Sequence, residues 1–284
     1  MTGTSERQPP RLASDSLILG VVAAYAVFVI FAFLVQPPAD VLRGLSAILT
    51  TRDALLTDYF GVGGIGAGCV SAGLLTLAGA LVYGRAGAKM TGASVAALFL
   101  VLGFGLFGKN LLNVRPIVAG VALYARFRCE PFRAHLNTAF SAALAPIFSE
   151  ILFSTDLTPM VSVPLALATG LAAGFILPPA GAHLSRAHMG FSLYNMGFTG
   201  GVVGTIVVAM YKAFGYVPDP VFIWTKGANS VLSVFLGLVF ASMVVVGWAF
   251  DRKALERLGI ILRTSGRSPT DFIATRSPPE RKRR

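Results

Sequence analysis

Leu17-Ile-Leu-Gly-Val-Val-Ala-Ala-Tyr-Ala-Val-Phe-Val-Ile-Phe-Ala-Phe-Leu-Val35 is a run of 19 residues without a charge. At 1.5 Å of rise per residue, about 20 apolar helical residues cross the ~30 Å hydrocarbon core of a bilayer. Arg7 and Arg11 precede the run, as in the basic start of a signal peptide. The run is longer than a signal-peptide core, and Pro37-Pro38 follows it in place of a small-residue cleavage site. It reads as an uncleaved first span, with residues 1–15 as a cytoplasmic N-terminal segment.

The rest of the chain agrees with that start. Of the 284 residues, 55% are hydrophobic and 13% charged, and the mean hydropathy is +0.71. A soluble domain carries about 25% charge. A soluble enzyme, a disulfide scaffold and a disordered chain are therefore excluded. The expected fold is an all-α polytopic membrane helix bundle over residues 16–250, with the lipid bilayer as its first partner. Cys69 lies in an apolar span and Cys129 in a basic loop, so no disulfide is expected between them.

Further spans follow from apolar length and from the retention of Lys and Arg on the cytoplasmic side. Residues 36–60 mix Val41, Leu42, Leu45, Ile48 and Leu49 with Asp40, Arg43, Arg52, Asp53 and Asp58, which predicts an amphipathic helix at the outer interface. Gly61 to Tyr83 is a second span, and Arg85 and Lys89 place the next loop inside. Ala93 to Gly108 and Ile117 to Tyr124 are shorter and enclose a polar tip, with Arg126, Arg128 and Arg133 beyond. Basic flanks on both sides predict a helical or re-entrant hairpin. Thr138 to Ser154, Val161 to Leu177, Met189 to Tyr211 and Val231 to Phe250 complete six full spans plus the hairpin, with both termini inside.

The net charge of +11 has a topological origin. Ten of the 24 Lys and Arg residues follow Phe250, in a tail that ends Arg281-Lys-Arg-Arg284. Residues 251–284 are expected to be cytoplasmic and drawn to anionic lipid head groups, with Leu255, Leu258 and Leu262 on one face of a short helix and disorder after Ser265. No nucleic-acid role is expected.

The two segments Tyr59-Phe-Gly-Val-Gly-Gly-Ile-Gly-Ala-Gly-Cys-Val and Tyr194-Asn-Met-Gly-Phe-Thr-Gly-Gly-Val-Val-Gly-Thr look alike. They read either as inverted repeats, as in many transporters, or as chance similarity between Gly/Ala/Val-rich spans. Gly61-Val-Gly-Gly-Ile-Gly66 has the spacing of a dinucleotide-binding loop but opens an apolar span with no strand before it, so it is a decoy. Glycine pairs four apart, such as Gly170/Gly174 and Gly200/Gly204, instead predict close helix packing. A homo-oligomer stays open.

Lys109, Asn110, Asn113 and Arg115 are the strongest functional constellation. A charge inside an apolar region costs roughly 2.5–3.5 kcal/mol unless paired or wetted. A helix break there exposes backbone groups able to bind a polar or ionic ligand, with Asn as donor and acceptor and Lys or Arg favouring an anion. The bland alternative is a hairpin tip at the interface. Glu150, one turn after Pro146, would neutralise Lys109 or Arg115 or carry a proton. Tyr194 and Asn195, near His183, Arg186 and His188, open the last glycine-rich span. The two histidines are too weak a signal for a metal site, and no cofactor or catalytic motif is present in the sequence.

Asp58-Tyr-Phe-Gly-Val-Gly-Gly-Ile-Gly-Ala, Phe107-Gly-Lys-Asn-Leu-Leu-Asn-Val-Arg-Pro-Ile and Gly190-Phe-Ser-Leu-Tyr-Asn-Met-Gly-Phe-Thr-Gly-Gly together resemble a bacterial family of multi-pass membrane proteins described as a domain of unknown function. The resemblance spans roughly residues 55–215. It implies a bacterial inner membrane and carries no substrate. The functional expectation is a non-enzymatic transporter or channel for a small polar or anionic solute, bound by Lys109, Asn110, Asn113, Arg115, Glu150, Tyr194 and Asn195. The alternative is a membrane scaffold or subunit that docks through its basic tail.

Overall fold

An apolar segment that leaves water has to satisfy its own N–H and C=O groups, and a helix does so within the segment. The computed structural model describes residues 11–54, 57–88, 90–217, 223–250 and 252–263, and these are helical with no named strand. In chain order the helices are α1 Arg11–Val35, α2 Pro38–Thr50, α3 Tyr59–Gly63, α4 Ile65–Arg85, α5 Gly92–Phe104 and α6 Val114–Phe127. Then come α7 Leu136–Ser141, α8 Ala145–Leu152, α9 Pro159–Ala187, α10 Asn195–Ala213, α11 Asn229–Phe250 and α12 Ala254–Arg263. Local signals set several starts. Asp58 and Thr91 cap α3 and α5 by accepting from the amides of Phe60 and Ser94. Pro38 and Pro159 occupy first turns, where no amide is needed.

Helices α4, α9, α10 and α11 are long and apolar enough to cross a membrane. A fifth crossing is available if α1 and α2, bent by 115° at their junction, count as one broken span. The described helices thus give four to five candidate spans rather than the six full spans expected. The main difference is Thr138 to Ser154, which is two short helices, α7 and α8, separated at 142–144. Pro146 has no N–H to offer the carbonyl of Ala142 and its ring crowds that carbonyl, so a helix running through 142–146 is disfavoured and Pro146 sits instead in the first turn of α8. The expected hairpin corresponds to α5 and α6, with an irregular segment at 105–113 between them. The two glycine-rich look-alike segments differ in backbone, since the first is broken at Gly64 and the second is continuous from Asn195.

The interface helix expected at 36–60 is α2, but it does not lie free. Its Val41, Gly44 and Ile48 are buried, and Gly44 meets Gly63 of α3 backbone to backbone. Helix α1 packs along α4 through Phe28 and Ala32, while α6 crosses α9 where Gly120 faces Leu171 and Gly174 faces Ile117. Outward-facing Ile30, Leu34, Leu167, Ile206 and Val244 are exposed, as suits a lipid-facing surface. Cys69 is buried, Cys129 is exposed, and both are free. The N-terminal residues 1–10 and most of the basic tail, 264–284, lie outside the described residues. Leu258 and Leu262 of α12 are exposed.

Candidate functional site

Helix breaks leave amides and carbonyls without intrahelical partners, and inside a bundle side chains have to supply them. Three breaks meet in this protein. The first, at Gly64, needs a positive φ of 88°, which glycine adopts without steric cost. Gln36, just past α1, bridges it, with Nε2 donating to Gly63 O at 3.1 Å and Oε1 accepting from Ala67 N at 3.2 Å.

The second break, between α5 and α6, is tied by two asparagines. Asn110 N donates to Asn113 Oδ1 at 2.9 Å, while Asn113 N and Leu112 N donate to Asn110 Oδ1 at 3.0 and 2.9 Å. Tyr59 N donates to Leu106 O at 3.3 Å and so joins the start of α3 to this break. The third break leaves carbonyls at the end of α7. Lys109 Nζ donates to Phe140 O at 2.8 Å, and Tyr194 OH donates to Ser141 O. Lys109 is 1% exposed and its ammonium also sits 5.3 Å from the centre of the Phe104 ring.

The side-chain amides left over converge on an acid. Asp53 Oδ2 accepts from Tyr59 OH at 3.0 Å, Asn113 Nδ2 at 3.0 Å and Asn110 Nδ2 at 3.2 Å. Asn113 Nδ2 also reaches Gly108 O at 2.9 Å and Ser149 Oγ at 3.1 Å. Asp53, Tyr59, Asn110, Asn113 and Ser149 are all 0% exposed. Asp53 Oδ1 makes no hydrogen bond, although the Ser149 hydroxyl is close enough to act on the carboxyl. No cation pairs with Asp53 among the described residues.

One residue earlier, Arg52 grips Glu150 with two bonds, Nε to Oε2 at 3.0 Å and Nη2 to Oε1 at 2.7 Å. The two side chains are 12% and 11% exposed. The planar guanidinium matches both carboxylate oxygens, which makes this the strongest geometry for an ion pair. Beside it lies a cavity of about 740 Å³ between α8 and α10. Leu144, Ile147, Ile151 and Val208 supply apolar wall, Gly197, Gly200, Gly201 and Gly204 form the floor along α10, and Asp53 and Glu150 lie on its lining. Tyr211, Lys212 and Tyr216 line it as well.

The residues expected from sequence separate into groups. Lys109, Asn110 and Asn113 come together as the buried frame of the breaks, and none lines the cavity. Glu150 does line it, but its partner is Arg52, correcting the expected pairing with Lys109 or Arg115. Arg115 is exposed on the first turn of α6. Tyr194 reaches the end of α7, whereas Asn195 joins α10 to α9, with Nδ2 donating to Gly181 O at 3.1 Å and Oδ1 lying 2.9 Å from His188 Nε2. Sequence reasoning missed Arg52, Asp53, Tyr59 and Ser149. The available signal was the adjacent charged pair Arg52-Asp53 shortly before the second apolar span, which the interface segment 36–60 absorbs. Among the described residues, no three His, Cys, Asp or Glu side chains gather as a metal ion requires.

A family described as "Protein of unknown function (DUF1576)" matches residues 37–213, and the chain belongs to it. The matched part begins beside α2 and ends with α10, so it contains all three breaks, Arg52, Asp53 and the cavity lining except Tyr216. No curated protein and no solved structure matches the chain.

Proposed function

Taking the chain as a member of a family whose activity is unassigned, we propose that it is a multi-pass membrane transporter or channel for a small polar solute, with its path along the cavity between α8 and α10. The observation that supports this best is the cavity reaching Asp53 and the Arg52–Glu150 pair. Buried polar groups at discontinuous helices are the arrangement transporters use to hold solutes, since irregular backbone inside a membrane is tolerated where protein or a cavity surrounds it. A preference for anions drew on Lys109 and Arg115, which do not line the cavity; its lining holds Asp53 and Glu150 together with the exposed Lys212, so a polar or cationic solute has the better support. In this reading α7 and α8 act as one broken crossing and α5 and α6 as the hairpin. The protein sits in a bacterial inner membrane with both termini cytoplasmic, and α12 rests on anionic lipid.

The test is solute entry into liposomes carrying the purified protein, offered sugars, amino acids and small amines in turn. At least one class should enter faster than into protein-free vesicles, and Ile147→Trp, which fills the cavity, should remove most of that excess. Entry no faster than in empty vesicles across the whole panel overturns transport. A second reading is a non-transporting scaffold. It draws on α11, whose Val234, Leu238, Phe240 and Val244 are exposed while Phe235 stacks on Phe31 of α1. It predicts a co-purifying partner that is lost when residues 251–284 are removed.

A further inference from the structure

Asp53 presents an electrostatic problem that its own surroundings do not solve. The donors to it among the described residues, Tyr59, Asn110 and Asn113, are neutral, and so is the nearby Ser149 hydroxyl. Arg52, its neighbour in sequence, spends two donors on Glu150 and forms no ion pair with Asp53. Lys109 is held on the Phe140 carbonyl. A carboxylate withdrawn from water with neutral partners alone is unstable as an anion. Meanwhile Oδ2 is saturated, whereas Oδ1 has the Ser149 hydroxyl nearby but no well-formed hydrogen bond among the described residues. Asp53 borders a cavity of about 740 Å³ with largely apolar walls, within the range of small-molecule sites, and its carboxylate is covered until a side chain at that border moves aside.

We propose that Asp53 recognises the ammonium group of a small amphipathic amine whose apolar body lies in the cavity between α8 and α10. An ammonium N–H supplies the missing positive charge and a charged donor for Oδ1, and such charge-assisted bonds are about twice as strong as neutral ones. Leu144, Ile147, Ile151 and Val208 then cover the apolar body. The floor at Gly201 leaves room, since a Cβ built there meets nothing within 4 Å. The Arg52–Glu150 pair is internally neutral, and Lys212, the cation on the lining, is exposed, where water and salt screen its charge. The inference names the solute class for the transport reading and rests on the same cavity.

Three probes of one shape separate the head groups: benzylammonium, benzyl alcohol and benzoate, added to the full-length protein in detergent at pH 7, with thermal stability and equilibrium binding as readouts. Ligand that binds the folded state raises the melting point by mass action. Benzylammonium should stabilise the protein, while the alcohol and the benzoate should not. Asp53→Asn should weaken benzylammonium binding about tenfold or more, the cost of losing one charged hydrogen bond. Should that variant fail to fold, Gly201→Leu decides, because it narrows the cavity and leaves the Asp53 network intact; its affinity should also fall. Equal stabilisation by all three probes, or unchanged benzylammonium affinity in either folded variant, overturns the proposal. No effect of any probe does the same and leaves Asp53 as a protonated structural acid. Binding without flux in liposomes retains this site and removes transport, whereas flux of a neutral solute without ammonium binding does the reverse.

Discussion

At the scale of single residues, the interior is organised by groups that would be costly if left alone. Asn110 and Asn113 each accept from backbone amides of the break and still have side-chain NH₂ groups to offer Asp53, which serine or aspartate in their place would not provide. Lys109 gives its ammonium to a carbonyl that α7 releases by ending at Ser141. The Arg52–Glu150 pair is the most informative place for mutation. Removing one partner of a largely buried ion pair strands the other and typically costs about 3–5 kcal/mol, whereas replacing both by apolar residues of similar volume is near neutral. Glu150→Leu should therefore lower the melting temperature sharply. The double variant Arg52→Met/Glu150→Leu should recover most of the loss in a denaturation series. Additive single effects with no recovery would mean that the pair is not coupled in solution. The exposed Asp40–Arg43 pair on α2 should show no comparable effect, since surface ion pairs contribute little.

At the scale of helices, glycine serves two different ends that are indistinguishable as a sequence pattern. At the crossing of α6 and α9, a Cβ on Gly120 would lie 2.2 Å from Leu171 O, and one on Gly174 would lie 2.2 Å from Ile117 O. Only backbone fits there, and small residues are the means by which helices approach closely without a hydrophobic driving force. Gly200, Gly201 and Gly204 of α10 instead border the cavity, while Gly197 also makes room for the Tyr194 ring. Gly120→Ala should force the two helices apart and cost about 3 kcal/mol, the upper end for overpacking. Gly237→Ala on α11, where nothing lies within 4 Å, should leave the melting point unchanged or slightly raised. Circular-dichroism melts of both variants check the contrast, and equal losses would remove the close crossing. The break between α7 and α8 belongs to this scale too. Pro146 is visible in the sequence, but whether a proline kinks a span or ends it depends on partners for the freed carbonyls, and those come from Lys109 and Tyr194.

For the whole molecule, the two cysteines are reporters already in place. With the proposed orientation, exposed Cys129 should react with a membrane-impermeant maleimide from the cytoplasmic side alone. Buried Cys69 should stay unreactive until the protein is unfolded. Labelling of Cys129 from the outside of intact cells would reverse the assigned topology. The helical, lipid-facing character of the molecule could be read from composition and from runs such as Leu17 to Val35, because the requirement to leave water and to satisfy the backbone acts on each segment by itself. The polar importance of Lys109, Asn110, Asn113 and Glu150 was equally legible, since charge and amide stand out against an apolar background. Their partners were not. Asp53 and Arg52 stand 57 and 98 positions from Asn110 and Glu150, and were read as the polar edge of an interface helix. Which buried group faces which, and whether a glycine face meets a helix or a cavity, depends on how separate segments pack. Sequence alone determined that this chain is helical with segments apolar enough to cross a membrane, because those forces are local; the tertiary structure alone decided where its charges are paired and that Asp53 has no cation beside it among the described residues, because Coulomb energy and desolvation depend on neighbours in space.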